Sequence, residues 1–252
     1  MQVRVALLPE LAGDVANTVC VVVDVLRATT VIATLFERGC PKVYVAASHE
    51  TARAFAREKG YVLCGETEGY RVPDFDYGNS PVEFAALDFH DRPVVLSTTN
   101  GTKATAAVAN ARRVFLGASI NRGAVSGAAW RTALELDCDI VIVCSGTRDQ
   151  FTLEDATVAG MYVEGVTALA GAWEMPGQAD TAIAMRRLWQ TEPNLLRGWM
   201  EGIHARTLAE RGFGDDVGYC AAIDTMPHIP TLVEEADATS VAAPVILIRS
   251  QY

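Results

Sequence analysis

The 252-residue chain has six cysteines, at 20, 40, 64, 138, 144 and 220, but no C-x-x-C pair and no histidine-rich neighbour to complete a zinc site. They are expected to be reduced, mostly buried thiols of a cytoplasmic protein. No apolar run approaches a bilayer span. The N-terminal MQVRVALLPE has too short an apolar stretch, and no small-residue cleavage site, for a secretory leader. Basic residues are also scarce: 21 Lys and Arg stand against 31 Asp and Glu, a formal net charge of -10. Nucleic-acid and polybasic membrane roles are thereby disfavoured, because each needs a basic stripe. An anionic ligand would need a local cationic cluster or a metal to reverse the field.

Several catalytic fingerprints are missing as well. There is no G-x-G-x-x-G, no G-x-x-x-x-G-K-[ST] and no G-x-S-x-G elbow. The stretch DVLRAT lacks the second Asp of an aspartate-nucleophile phosphatase loop, because Leu26 stands there. Cys144 is too close to Arg148 for a thiolate-phosphatase loop and is expected to be a core thiol. His49, His90, His204 and His228 show no metal spacing; only His204, near Arg206, merits a test. The acidic GDD at 214–216 reads as a helix start.

What is present is apolar texture, 50% of the residues by count, enough for a substantial core. Runs rich in β-branched residues recur at VRVALL, TVCVVVDV, KVYVAA, YVLCGE, PVVLSTT, VFLGA and DIVIVCSG, most followed by an Ala-rich stretch with helical spacing. Continuous apolarity of this kind predicts a three-layer α/β/α fold with a largely parallel sheet, its functional loops at the strands' C-terminal ends. From about Phe151 the texture becomes helical, with a last strand, PVILIR, pairing with the sheet or its edge. The expected division is an α/β core at 1–170 and a helix-rich part at 171–252 packing on it. The boundary would lie at Gly171 to Gly177, around Trp173 and Pro176.

Four strand ends carry unusual polar chemistry. After TVCVVV come Asp24, Arg27, Thr29 and Thr30: either a metal ligand, an anion clamp and ligand hydroxyls, or an ion pair and cap for the next helix. After PVVL come Thr98, Thr99, Asn100, Gly101, Thr102 and Lys103, a small hydroxyl-rich turn suited to a phosphate or sulfonate, or equally to ordinary N-capping. The long loop GETEGYRVPDFDYGNSP brings Glu66, Glu68, Arg71, Asp74, Asp76, Asn79 and Ser80 together, as a lid or binding element or as a solvated acidic loop with Pro81 opening a helix. After DIVIV come Thr147, Arg148, Glu154 and Asp155, with Thr152 and Asp155 forming a loose capping-box pattern. Hard oxygen ligands on several strand ends suit Mg²⁺.

Taken together, VVVDVLRATT, GETEG…FDYGNSPVEF, TTNGTKA and VCSG…F-TLED resemble, in order and spacing, the 2-phosphosulfolactate phosphatase family, also called ComB-like. The likeness covers essentially the whole chain, including H-A-R-x-L…DDVGYCAAID near the end; V-P-D-F-D stands where G-F-D is more usual. The resemblance implies an Mg²⁺-dependent hydrolysis of 2-phosphosulfolactate to sulfolactate and phosphate, a step of coenzyme M biosynthesis in methanogens, in a family that also occurs in bacteria without that pathway. On this reading Asp24, Glu66, Glu154 and Asp155 are metal or water-orienting carboxylates. Arg27, Thr99, Asn100, Gly101 and Thr102 contact phosphate, with Thr29, Thr30, Asn79, Ser80 and Thr98 as further substrate-binding residues. Arg71, Lys103 or Arg148 holds the sulfonate. The expected partners are a small phosphorylated anion and a second copy of the chain in a homodimer. Rival readings are a phosphatase for another small phosphorylated hydroxy acid and a non-catalytic anion binder.

Overall fold

The computed structural model describes residues 1–98, 100–171, 176–192 and 194–233, together with the backbone of 245–249. Its strands are β1 (Gln2–Ala6), β2 (Thr18–Val23), β3 (Lys42–Val45), β4 (Val62–Thr67), β5 (Tyr70–Arg71), β6 (Val94–Ser97), β7 (Arg113–Gly117), β8 (Asp139–Cys144), β9 (Gly177–Gln178), β10 (Pro230–Val233) and β11 (Val245–Arg249). The helices are α1 (Ala28–Glu37), α2 (His49–Lys59), α3 (Pro81–Ala85), α4 (Gly101–Ala107), α5 (Arg122–Leu136), α6 (Leu153–Ala170), α7 (Asp180–Thr191), α8 (Leu195–Trp199), α9 (Ile203–Leu208) and α10 (Gly214–Cys220).

The valine run of β2 shows why three layers form. Successive side chains of a strand point to opposite faces. Val19, Val21 and Val23 enter one core with Ile140 and Ile142 of β8, covered by Val125 and Ala129 of α5 and by Val158 and Tyr162 of α6. Cys20 and Val22 enter the other, with Val141 and Val143 of β8, Val31 and Leu35 of α1 and Ala104 of α4. Both faces of β2 are dry, as a continuous apolar run requires.

The strands form a sheet ordered β5-β4-β6-β3-β11-β10-β7-β2-β8-β1-β9. The pairs β4/β6 and β6/β3 are parallel, as are β7/β2, β2/β8, β8/β1 and β1/β9. Between these groups sits the β10–β11 hairpin, antiparallel within itself and to both β7 and β3. Three successive reversals set the two parallel groups in opposite senses, so their C-terminal ends do not share one straight sheet edge as the sequence suggested. The strand at PVILIR lies inside the sheet, and β10 is a strand that the apolar runs did not announce. The two sets of strand ends nevertheless meet: a Cβ built on Gly101, at the start of α4, would lie 2.6 Å from the Ala28 Cβ and 2.7 Å from Asp24 Oδ2.

Strands β9 to β11 place the chain beyond residue 176 in the same sheet as the N-terminal strands. The expected boundary falls partly on Trp173 and its neighbours, outside the described residues. All six cysteines are buried free thiols. Among the described residues no helix is long and apolar enough to cross a membrane.

Candidate active site

A cavity of about 540 Å³ opens where β2, β4, β6 and β8 end, closed on its far side by α9 and the turn that follows it. Its polar wall includes Asp24, Arg27, Glu66, Asn79, Thr98 and Glu154.

Asp24 ends β2 and is buried. Its Oδ1 accepts the Ala28 N–H at 3.3 Å, and its carbonyl accepts the Thr29 N–H at 2.9 Å, so the residue also caps α1. Burial pushes its pKa from 3.8 up to about 6; Glu66 and Glu154 add to the rise, while His204 and the Ala28 N–H oppose it. Glu66, at the end of β4, takes the Gly69 N–H on Oε2 at 2.7 Å.

Arg27 is buried but does not pair with Asp24. Its Nη1 donates to Asp216 Oδ2 at 2.6 Å, its Nη2 to the Gly69 carbonyl at 2.7 Å, and its guanidinium lies 4.3 Å from the Phe213 ring centroid. Asp216 accepts the Ser80 hydroxyl as well, at 2.6 Å. The acidic triplet read as a helix start therefore supplies the charge partner of Arg27, and Ser80 serves that network and the cap of α3, outside the cavity lining.

Glu154 and Asp155, adjacent in the first turn of α6, part company. Glu154 reaches the cavity, with Oε1 2.5 Å from His204 Nδ1 and Oε2 buried without a partner in the protein. Asp155 turns away: Oδ1 accepts the Val25 N–H at 2.9 Å and Oδ2 the Gly146 N–H at 3.0 Å, strapping the β2–α1 loop to the β8–α6 loop. Burial, then Asp24 and Glu154, hold its pKa well above the ordinary carboxylate value. The capping box expected from Thr152 and Asp155 is not formed, since Thr152 Oγ1 has no partner and α6 has no side-chain cap.

Thr29 donates its hydroxyl to the Asp24 carbonyl and Thr30 to that of Val25, each at 2.9 Å, and neither lines the cavity. Thr98 and Asn100 do line it, whereas Thr102 Oγ1 is spent on the Thr98 carbonyl at 2.6 Å and Thr99 is outside the described residues. Lys103 is held away from the cavity by Glu10, at 2.7 Å, and by Asp149; Arg71 likewise stands outside, bonded to the Asp76 carbonyl. Of the three cations expected at a sulfonate, Arg148 alone is a lining residue, and it is joined there by Arg211. Sequence reasoning read Asp216 only as part of a helix start and Glu68 only as one oxygen of the long loop, gave no role to Arg211, and flagged His204 without a partner.

Among the described residues no group of three or more His, Cys, Asp and Glu forms a ready metal cluster. The cavity is rich in hard oxygens, and five of its lining residues carry one that is buried and unpartnered: Asn79 Oδ1, Thr98 Oγ1, Thr147 Oγ1, Thr152 Oγ1 and Glu154 Oε2. Such a set fits Mg²⁺, which uses one or two carboxylates and fills its octahedron with water and substrate oxygens.

The family model for 2-phosphosulpholactate phosphatase matches residues 6–235. The chain belongs to that family, whose namesake activity is a phosphoric monoester hydrolysis. It is 40% identical over 240 residues to a protein of Deinococcus radiodurans, covering 94% of this chain and 95% of the relative. A Carboxydothermus hydrogenoformans protein is 36% identical over 231 residues (91% and 92%), and one from Thermus thermophilus 37% over 215 (85% and 87%). Each of these relatives carries the name "probable 2-phosphosulfolactate phosphatase". The segments on which the resemblance rested, from β2 to the start of α6, fall within the matched range, and their polar ends converge on the cavity.

Proposed function

We propose that the chain is an Mg²⁺-dependent phosphatase that hydrolyses 2-phosphosulfolactate to sulfolactate and phosphate. The observation that carries this reading is the cavity itself: three carboxylates, Asp24, Glu66 and Glu154, meet unpartnered hydroxyl and amide oxygens in a member of this family. Asp24 and Glu66, with Glu154 Oε2, are the groups that would hold Mg²⁺, which when bound neutralises phosphoryl oxygens and polarises phosphorus for attack.

The other groups act on the substrate directly. Arg27 supplies fixed positive charge at the cavity wall, held rigid by Asp216, the Gly69 carbonyl and Phe213. The Thr98 hydroxyl and the Asn100 amide offer donors to phosphoryl oxygens. Glu154 fixes the His204 ring through Nδ1, leaving the second ring nitrogen to exchange a proton with the attacking water or leaving oxygen. Asp155 and Gly101 belong to the scaffold: one straps two loops together and the other lets α4 approach Asp24.

The test is phosphate release from 2-phosphosulfolactate with and without Mg²⁺, run beside phospholactate and 3-phosphoglycerate. Metal-dependent release favouring the sulfonate is expected. Release from the other esters alone would replace the substrate, and no release from any of them would overturn the phosphatase reading.

A further inference from the structure

Deep in the cavity the buried charges are three carboxylates and Arg27, whose own counter-charge is Asp216; at its mouth stand two further arginines. Arg148 stands on the β8–α6 loop and Arg211 on the turn between α9 and α10, and both line the cavity. The guanidinium groups of both converge on one acidic residue, Glu68. Arg148 Nη2 donates to Glu68 Oε1, and Arg211 donates to the Glu68 carbonyl, with its Nη2 3.4 Å from Glu68 Oε2. Three segments far apart in sequence thus hold a single oxyanion between two guanidiniums at the entrance.

The holder of that oxyanion is built to leave. Glu68 and Gly69 form the tip of the two-residue β5 hairpin, and both have left-handed backbones, with φ of 57° and 89°. The Glu68 side chain is 54% exposed, and that of Arg148 64%. Ion pairs of this exposure contribute little to stability, so exchanging one anion for another is close to neutral for the fold. The hairpin itself stays pinned after Glu68 swings out, because Gly69 remains bonded to Glu66 and Arg27. Guanidinium forks bind carboxylate, sulfonate and phosphate oxygens by the same paired N–H geometry.

We propose that Arg148 and Arg211 form the subsite for the substrate's sulfonate, one of the two anionic groups that it keeps, the other being its carboxylate, and that Glu68 occupies this subsite until the substrate displaces it. The proposal rests on the phosphatase reading and adds to it the residues that select an ester with a sulfonate beside its carboxylate. The phosphoryl group is directed inward, where a cation can offset the carboxylates. The sulfonate is directed to the mouth, where two arginines already hold an anion.

The experiment compares wild type with Arg211→Ala, Arg148→Ala and Glu68→Gln, each checked for an unchanged melting profile. Two readouts are taken: the ratio of kcat/KM for 2-phosphosulfolactate to that for phospholactate, and equilibrium binding of sulfolactate by calorimetry. Either arginine variant should lower the ratio and weaken sulfolactate binding about tenfold, while Glu68→Gln, which removes the competing charge, should tighten it severalfold. If wild type turns over the sulfonated ester and the variants leave ratio and binding unchanged, the subsite is wrong and the phosphatase reading stands. If wild type hydrolyses no ester, that reading falls and the binding arm decides alone: unchanged binding overturns the subsite, and the opposed shifts support it. Weaker binding in Glu68→Gln would also overturn it, by making Glu68 a partner of the ligand and not its competitor.

Discussion

Replacing Asp24 with Asn should make the protein more stable at neutral pH and deprive it of turnover. The side chain is 7% exposed, and burial raises its pKa from 3.8 to about 6. In the unfolded chain the carboxyl ionises near 3.8; in the folded chain it holds its proton about two units longer. The folded state therefore binds more protons between these values, and the stabilisation present below the lower one is lost as pH rises through the upper one. At ~1.4 kcal/mol per unit, the loss is about 1–2 kcal/mol at pH 5 and about 3 kcal/mol by pH 8. The Asp24→Asn side chain has the same shape and can still accept the Ala28 N–H, but carries no charge to desolvate. For a chain of this length a gap of about 3 kcal/mol moves the melting temperature by roughly 6–12 °C. The assay is thermal and urea denaturation of both proteins in chelator at pH 5 and pH 8, with phosphate release measured on the same samples. Asp24→Asn should cut kcat at least about a hundredfold, the scale on which removal of a group that stabilises transition-state charge acts. A variant less stable than wild type at pH 8, or a gap that does not widen with pH, would refute the claim that this carboxylate is held in a hostile site. Saturating Mg²⁺ should then stabilise wild type and leave the variant unmoved.

Three other perturbations test the frame around the cavity. Asp216→Ala strands a guanidinium whose side chain is 2% exposed, so a loss of about 3–5 kcal/mol is expected in urea denaturation; a loss under about 1 kcal/mol would count against the pair. Asp155→Ala removes the acceptor of two buried backbone N–H groups and should cost about 2 kcal/mol or more, with Asp155→Asn less severe; equal, negligible effects would remove its role as a strap. Gly101→Ala places a Cβ 2.6 Å from the Ala28 Cβ and 2.7 Å from Asp24 Oδ2, so turnover should drop more than tenfold, and a variant at the wild-type rate would show that α4 need not sit so close.

The layers were readable because strand burial writes itself into composition. Thr18–Val23 is a short run, β-branched at five of its six positions, and all six are buried, the pattern of a strand covered on both sides. The order of the strands was not readable. It depends on β10, a four-residue piece, PTLV, opened by a proline and carrying no distinctive pattern, which pairs with β7 through Thr231 and Phe115. Short segments of this kind take their conformation from the neighbours they find, so local propensity says little about them. Once the hairpin is inserted, the rule that parallel strands present their loops along one edge no longer applies across the whole sheet. What brings the loops together instead is close packing of α4 on the β2–α1 turn, which the glycine of TTNGT permits.

In the site, residue type was a better guide than residue partner. Asp24, Glu66, Thr98 and Glu154 could be named because strand ends are where a parallel sheet exposes chemistry, but Arg27 finds its counter-charge 189 residues away. Lys103 has the right charge at a suggestive place and is drawn off by Glu10 and Asp149, which lie on other loops. The pair Glu154 and Asp155 shows the limit most sharply. Neighbours on a helix point about 100° apart, so at most one of them faces a given cavity. Which one does so depends on the rotation of α6 about its axis, which goes with the packing of its core face, Val158, Ala159, Met161, Tyr162, Val163 and Val166, several residues further on. The sequence shows two equivalent carboxylates; packing turns one into a strap satisfied by two backbone amides and leaves the other with a bare oxygen beside Asp24's side of the cavity. In a chain of net charge -10, that bare oxygen and the raised pKa of Asp24 have the same cause: carboxylates have been gathered away from water, where a retained proton or, on the proposed reading, a bound cation relieves them.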